Sequence, residues 1–202
     1  WSVKKYLGVS FPWYPVWGNH DKDVPDDRNW LCSHIASQKA PDGSPYTSTG
    51  LPFYPNSCYS FDFENAHFVF LNMYYKTTSP YVSAGQDNIS DPIYNWLAGD
   101  LARTTKEHIF VIGHGPAYAE PDADTGALRH SSDGIRYFTD QRDRFVALLK
   151  ARRAIYFCGH THTFSAQQYN DSWWQINVGQ PTGSAADRTA GYSTFVRILV
   201  DG

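Results

Sequence analysis

The stretch Ala154-Ile155-Tyr156-Phe157-Cys158-Gly159-His160-Thr161-His162 sets two imidazoles directly after a short apolar run that ends at a glycine. The apolar run predicts a buried β-strand that leads into a site. Alternate side chains of an extended backbone share one face, so we expect His160 and His162 to point the same way and Thr161 to point the opposite way. A polar turn that happens to hold two histidines is the alternative reading of this stretch.

Two other stretches repeat the same order of apolar run, glycine and polar side chain. Residues 108–114 (HIFVIGH) end at His114, and residues 15–21 (PVWGNHD) end in Asn19, His20 and Asp21. In open α/β sheets the side chains that do chemistry gather beyond the carboxyl ends of the strands. We therefore expect Asn19, His114, His160 and His162 to converge at one edge of a sheet.

The composition describes a globular chain and limits its partners. Of the 202 residues, 42% are hydrophobic and 18% are charged, which is enough apolar material for a core. The net charge of -3 gives no electrostatic reason to expect nucleic acid as a partner. No apolar run approaches the roughly 20 residues of a membrane span. Small molecules are the expected ligands, and the oligomeric state stays open.

Three cysteines, Cys32, Cys58 and Cys158, are not arranged as a zinc knuckle because no Cys-x-x-Cys pair is present. Cys158 ends the central strand and is expected to be a small buried side chain. Cys32 and Cys58 can form a disulfide in an oxidising compartment. Two Asn-x-Ser sequons, at Asn88 and Asn170, agree with a secreted or periplasmic location.

The hydrophobic pattern predicts one α/β domain over residues 1–202, with strands and helices that alternate along the chain. Asp91 and Pro92 signal a helix start. A crossover from the strand before His114 through a helix to the central strand favours parallel pairing. A surface loop is expected at 41–56 and a further loop at 74–90. The predicted helices are 28–38, 91–103 and about 140–152, and the predicted strands are a short one ending at residue 17, then 58–63, 67–73, 108–113, 154–158, 164–169, 173–178 and 192–200.

Taken together, the blocks Gly-Asn-His-Asp (18–21), Gly-His (113–114) and Gly-His-x-His (159–162) resemble the calcineurin-like metallophosphoesterase family. Within that family the chain looks most similar to purple acid phosphatase-like and cyclic-nucleotide-phosphodiesterase-like members. The resemblance runs from Tyr14 to about Gly179. It implies a mixed β-sheet sandwich flanked by helices, and two divalent or mixed-valence transition metal ions (iron, zinc or manganese) that hydrolyse a small phosphate ester.

The resemblance also implies a role for each residue of the three blocks. Asn19, His114 and His160 would ligate one metal ion, and His162 would ligate the other. His20 would stand beside the scissile phosphate, where it would stabilise charge or protonate the leaving oxygen, and Asp21 would orient its ring. Neutral imidazole suits first-row transition metals, and an amide oxygen adds a weaker ligand.

The family pattern includes an Asp-x-His block and a Gly-Asp block ahead of Gly-Asn-His, and neither stands there in this sequence. The expectation is that Trp1 is a truncation point and that the first βαβ portion, with the bridging carboxylate, is missing. The chain alone should then bind metal weakly. The pair Gly99-Asp100 follows the Gly-Asn-His block and lies in a predicted helix, so we expect it to be a solvent-facing turn.

Several alternatives remain at the level of sequence. Phosphomonoesters and phosphodiesters are both possible substrates. A catalytically inactive, ligand-binding or structural relative of the family is the main alternative to an enzyme, and a mononuclear zinc hydrolase is a third reading. The remaining histidines are expected to be surface or hydrogen-bonded structural residues, since they have no partner at ligand spacing: His34, His67, His108 and His130.

Overall fold

The computed structural model describes residues 11–21, 25–51, 54–75, 88–128, 130, 134–170, 173–179 and 196–200. Within these ranges the strands are β1 (Ser48–Leu51), β2 (Tyr54–Phe63), β3 (Ala66–Phe70), β4 (His108–Ile112), β5 (Ile155–Cys158), β6 (Phe164–Tyr169) and β7 (Trp173–Val178). The helices are α1 (Pro25–Ser37), α2 (Asp91–Arg103) and α3 (Thr139–Ala151), with a 3₁₀ turn at Ile135–Tyr137 ahead of α3.

The described strands form one mixed sheet in the order β1-β2-β3-β4-β5-β7-β6. The central strands β3, β4, β5 and β7 are parallel to one another. Antiparallel partners complete both sides, because β1 and β2 pair at one edge and β6 pairs with β7 at the other. The α/β class and the parallel pairing expected across α3 are confirmed. The carboxyl ends of four strands therefore meet at one edge of the sheet.

Alternating side chains send apolar groups to both faces of the sheet, as the pleat requires. Val111 of β4 lies on the face that α2 and α3 cover, where it joins a cluster with Leu97 and Phe145. Its neighbour Phe110 lies on the opposite face with Phe157. Helix α1 packs its Leu31 and Ile35 against β2 and β3 on that same side, while its Trp30 is exposed.

Helix α2 begins at Asp91, where the sequence predicts a helix start. Ser90 occupies the N-cap position without a capping hydrogen bond from its side chain, and the proline lies in the first turn. Asp91 is in that turn as well, where a carboxylate favours the helix dipole. Its Oδ1 lies 2.6 Å from Nη2 of Arg144, so the pair links α2 to α3.

Two strand predictions and one loop prediction need correction. Residues 12–18 form no strand, because Pro12 and Pro15 remove backbone donors and fix φ. Tyr59 anchors this irregular segment instead, since its hydroxyl donates to the Pro15 carbonyl oxygen at 2.7 Å. The predicted loop 41–56 contains β1 and the start of β2. Residues 196–200 are outside any strand, and the rest of the last predicted strand and most of the loop 74–90 lie outside the described residues.

The expectation of a solvent-facing Gly99-Asp100 turn is wrong. Asp100 is 1% exposed. Its Oδ2 lies 3.0 Å from Nε2 of His67, and its Oδ1 accepts hydrogen bonds from Ser60 Oγ and Arg103 Nη2. Asp100 follows Leu97 by three positions, so it lies on the buried stripe of α2, and the hydrogen bonds offset its desolvation.

The cysteines are free thiols, so the disulfide considered for Cys32 and Cys58 is not formed. Cys58 is buried, its Sγ accepts a hydrogen bond from the Asn72 amide at 3.1 Å, and burial raises the pKa of its thiol to about 12. Cys158 is a buried core side chain, as predicted. No helix in the described ranges is long and apolar enough to cross a bilayer.

Candidate metal centre

Three segments that are distant in sequence bring ligand-type atoms together at the carboxyl edge of the sheet. His114, which follows β4, has its Nε2 2.9 Å from Oδ1 of Asn19 and 3.0 Å from Nδ1 of His160, which follows β5. The parallel pairing of β4 and β5, with Ile112 opposite Phe157, sets the two histidine loops side by side. The expected convergence of these three side chains is therefore present.

His162 lies at the same place. Together with His114 and His160 it lines a pocket of about 480 Å³ whose floor is largely apolar and is formed by the ends of the parallel strands. The other lining residues of this pocket are Val16, Ile112, Gly113, Phe157, Cys158, Gly159, Val178 and Gly179. All four predicted ligands thus belong to one region of the molecule.

The backbone that carries the histidine pair is not extended, so that part of the prediction is wrong. His160 and His162 both have left-handed backbone angles, with φ of 65° and 57°. The Thr161 amide donates to the Gly159 carbonyl at 2.7 Å, which closes a tight turn. Thr161 points inward, is fully buried, and shares a hydrogen bond with Thr163 at 2.9 Å. A turn tied down by buried threonines, and not strand alternation, presents the two imidazoles.

His114 is held by close packing beneath its turn. A Cβ on Gly113 would lie 2.5 Å from the Tyr156 hydroxyl and 2.8 Å from Sδ of Met73. That sulfur accepts the His114 amide at 3.2 Å, and the Tyr156 hydroxyl donates to the Gly115 carbonyl at 2.6 Å. Position 113 therefore requires glycine because no side chain fits between strand and core.

The Gly-Asn-His-Asp segment packs just as closely. A Cβ on Gly18 would approach the His114 ring and the carboxylate of Asp21, both at 3.2 Å. The Gly18 amide donates to Oδ2 of Asp21 at 2.7 Å, which folds the segment back on itself. His20 is exposed to solvent beside this turn. Asn19 is thereby directed at His114, while the roles assigned to His20 and Asp21 remain predictions.

The electrostatics of the site keep its central histidine neutral. Burial, and then repulsion from His160, His162 and His20, lower the pKa of His114 to about 3. A neutral imidazole is the protonation state that a metal ion needs. The same interactions place His20 within electrostatic reach of the site.

His130 also belongs to this cluster, although the sequence pattern placed it among the structural histidines. Its ring centroid lies 5.3 Å from that of His160 and 5.4 Å from that of His162. It stands in the long segment between β4 and α3, where no periodic pattern or motif marks it. Only the tertiary structure could find this residue.

The chemistry of the donor set fits a first-row transition metal. Two atoms bonded to one ion at about 2.1 Å are about 3.0 Å apart at a right angle and about 3.4 Å apart at a tetrahedral angle. The separations of 2.9 and 3.0 Å at His114 Nε2 match the first arrangement. Within the described ranges no three His, Cys, Asp or Glu side chains form a metal-binding group. The third donor of this set is an amide.

Comparison with known proteins identifies the family. The family model of the calcineurin-like phosphoesterases matches residues 2–164. No curated protein matches the chain. Among solved structures, PhoD is similar at 14% identity, with a TM-score of 0.46 over 67% of this chain and 31% of that one.

Two further solved structures are similar to the chain. A dimetal phosphatase from Danio rerio has 15% identity and a TM-score of 0.48 over 82% of this chain and 60% of that one. A purple acid phosphatase from seeds of yellow lupin, Lupinus luteus, has 12% identity and a TM-score of 0.40 over 75% of this chain and 27% of that one. The chain thus spans less than two thirds of each of these proteins. Because the family model covers most of its 202 residues, the chain belongs to the calcineurin-like phosphoesterase family.

Proposed function

We propose that the protein hydrolyses small phosphoric esters at a two-metal site, to which this chain contributes Asn19, His114, His160 and His162. The observation that carries the proposal is the approach of an amide oxygen and a second imidazole to within 3.0 Å of His114 Nε2. Membership of the calcineurin-like phosphoesterase family supports it. Iron, zinc and manganese all accept imidazole and amide ligands of this kind.

The four proposed ligands are neutral, which determines what else the site needs. Two close dications require negative ligands, and a hydrolytic pair normally has a bridging carboxylate. We therefore assign the neutral half of the site to these residues, and carboxylates from elsewhere in the protein complete it. Bound metal ions would polarise the phosphoryl group and lower the pKa of a bound water.

We assign His20 to the substrate and not to the metal. Its side chain is exposed, and it comes two residues after Gly18, which packs closely against His114. We assign its imidazole to the phosphoryl oxygens or the leaving oxygen, where hydrogen bonding or proton donation lowers the barrier. Asp21, folded back onto the Gly18 amide, holds this segment in place.

The test compares His160→Ala with His20→Ala in the full-length protein. Loss of His160 should strip metal, measured by elemental analysis, and abolish hydrolysis. Loss of His20 should leave the metal content unchanged and lower turnover by about 10²- to 10⁴-fold, the range for a general acid or base. Para-nitrophenyl phosphate and bis-para-nitrophenyl phosphate as substrates distinguish a monoesterase from a diesterase.

His108→Ala is the matched control, because His108 begins β4 at the end of the strand opposite His114. It should leave both metal and turnover unchanged. If His20→Ala removed as much metal as His160→Ala, the roles assigned to these two histidines would be wrong. A wild-type protein that binds metal but hydrolyses neither ester would be the catalytically inactive relative instead.

A further inference from the structure

The chain contains one methionine, Met73, and it lies directly beneath the turn that presents His114. Its side chain is fully buried in the cluster that α2 and α3 cover, where methionine commonly serves as an adaptable filler. The Met73 sulfur also has polar contacts. It lies 3.2 Å from the amide nitrogen of His114 and 3.3 Å from that of Gly115. Two consecutive backbone amides therefore donate to one thioether, beside a proposed metal ligand.

The backbone of His114 is held on both sides of its side chain. Its carbonyl accepts the Gly159 amide at 2.9 Å, which ties it to the loop that follows β5. Its own amide and that of Gly115 have no acceptor within the described ranges other than the Met73 sulfur. A buried backbone amide that has no acceptor costs free energy. The sulfur therefore determines where this turn is stable.

The backbone of Met73 is also fixed, so its sulfur has a defined position. The Leu71 amide donates to the Ile112 carbonyl at 2.9 Å, which continues the parallel pairing of β3 with β4 to within two residues of Met73. The Met73 carbonyl accepts the Asn88 amide at 3.1 Å. The end of β3 thus sets the position of the sulfur, just as the end of β4 sets that of the histidine turn.

Tyr156 packs against the same sulfur without competing for it. Its hydroxyl lies 2.6 Å from the Gly115 carbonyl oxygen and 3.5 Å from the Met73 sulfur. A hydroxyl has one proton, and the shorter contact to the carbonyl takes it. A thioether accepts hydrogen bonds and cannot donate them, so Met73 suits a place that is surrounded by donors.

From these contacts we infer that Met73 is a positioning residue of the candidate metal centre, because its sulfur fixes the backbone of His114 where Nε2 faces both Asn19 and His160. Groups that hydrogen-bond to metal-binding residues orient them, and their loss typically weakens metal binding by about 10- to 100-fold. Met73 acts through His114 and has no contact with the metal. The inference rests on the proposed function, because it requires that His114 binds a metal ion.

The experiment removes the Met73 sulfur and keeps the volume of the side chain. Met73→Leu is one such change, and biosynthetic incorporation of norleucine, which has a methylene group in place of the sulfur, is the other. The zinc affinity of the full-length protein, measured by competition with a coloured chelator, should fall about tenfold in both. The visible absorption of bound cobalt, which reports ligand geometry, should shift. The metal-free proteins should still unfold cooperatively in urea, because the swap conserves volume.

Three controls separate the sulfur from other causes. Selenomethionine keeps an acceptor of the same kind and should bind zinc like the wild type. Norleucine in the Met73→Leu protein should have no further effect, which excludes methionines elsewhere in the full-length protein. Leu97→Met makes the reverse swap in the same apolar cluster, away from the turn, and should leave zinc affinity unchanged.

Each other result overturns a specific claim. If both sulfur-free proteins bind zinc like the wild type, the inference fails and the proposed function stands. If Met73→Leu weakens zinc binding and norleucine does not, the shape of the side chain is responsible and the inference is wrong. If Met73→Leu does not fold, the norleucine protein decides alone. If the wild type itself takes up no zinc, the proposed function fails, and the inference fails with it.

Discussion

Two clusters of histidine and polar side chains occupy opposite edges of the same sheet. At the carboxyl edge, His114 meets Asn19 and His160, none of which carries negative charge. At the amino edge, His67 in β3 lies between two carboxylates, with Nδ1 2.6 Å from Asp62 Oδ1 and Nε2 3.0 Å from Asp100 Oδ2. Both histidines are central to their cluster, yet their surroundings are opposite in charge.

The two pKa shifts express this difference. Burial and then neighbouring histidines lower the pKa of His114. Burial alone would also lower the pKa of His67, but its hydrogen bonds to Asp100 and Asp62 outweigh burial and raise it. The cluster of His67 balances its own charges and serves the fold. The cluster of His114 gathers neutral electron-pair donors, and neutral is the protonation state in which an imidazole can bind a metal ion.

The largest expected effect on stability comes from breaking the His67 cluster. His67→Ala removes the buried partner of a carboxylate that is itself fully buried, because the His67 and Asp100 side chains are both 0% exposed. Asp100 would keep only Ser60 and the largely exposed Arg103 as partners, so the free energy of unfolding should fall by up to about 3–5 kcal/mol, measured by urea denaturation. His114→Ala in metal-free protein should cost clearly less, since no buried charge loses its partner. Equal losses would contradict the comparison.

The two strand-end glycines offer the next contrast. Gly113→Ala would force the Tyr156 hydroxyl and the Met73 sulfur to move, and such overpacking should cost about 1–3 kcal/mol in thermal or urea unfolding. Gly159→Ala is the matched control, because a Cβ at Gly159 meets nothing within 4 Å. It should be close to neutral. A Gly159→Ala variant as unstable as Gly113→Ala would show that the turn, and not packing, requires glycine.

Metal should stabilise the carboxyl-edge cluster by a smaller amount. At a free zinc concentration about ten times the dissociation constant, the free energy of unfolding should rise by about 1.4 kcal/mol. This increase would be measured as a rise in melting temperature. His160→Ala should lose this rise. His67→Ala should lower the melting temperature but keep the zinc-dependent rise, because the two clusters share no residue. A rise in His160→Ala as large as in the wild type would exclude that residue as a ligand.

The smallest effect is the pH dependence of the His67 cluster. The folded protein holds a proton on His67 more tightly than the unfolded chain does, because its pKa is raised. The resulting stability is complete below the ordinary pKa of about 6.5 and declines as the pH rises through the folded value. The groups that face His67 are Asp62 and Asp100, and Arg103 bonds the latter.

Midpoints of urea denaturation, measured from pH 6 to pH 9, check this prediction, and the Asp62→Asn variant tests its cause. Removing the partly exposed carboxylate of Asp62 should reduce the pH-dependent part of the free energy of unfolding, because one of the two groups that raise the pKa of His67 is lost. A wild-type midpoint that rises from pH 6 to pH 9 would contradict the predicted sign.

The elements that the sequence predicted well are those with a strong local pattern. The hairpin β6–β7 and the helices α2 and α3 agree with their predicted ranges to within about two residues, the usual uncertainty of helix and strand ends. Strand β1 was not predicted, because its residues, Ser-Thr-Gly-Leu, do not alternate between apolar and polar and pair only at the edge of the sheet. Asp100 was misjudged because the Gly-Asp pair was read as a turn, although its spacing from Leu97 marks the buried face.

The sequence by itself determined which apolar segments end in glycine followed by asparagine or histidine, and hence which side chains gather at one edge. Glycine after an apolar run can be recognised from a few neighbouring residues, because its effect on the backbone comes from its own missing Cβ. The tertiary structure alone decided that His114 and His160 lie 3.0 Å apart, that His130 joins them, and that Gly113 but not Gly159 is required by packing. These distances depend on the register of β4 against β5 and on contacts between segments far apart in the chain, which no short stretch of sequence encodes.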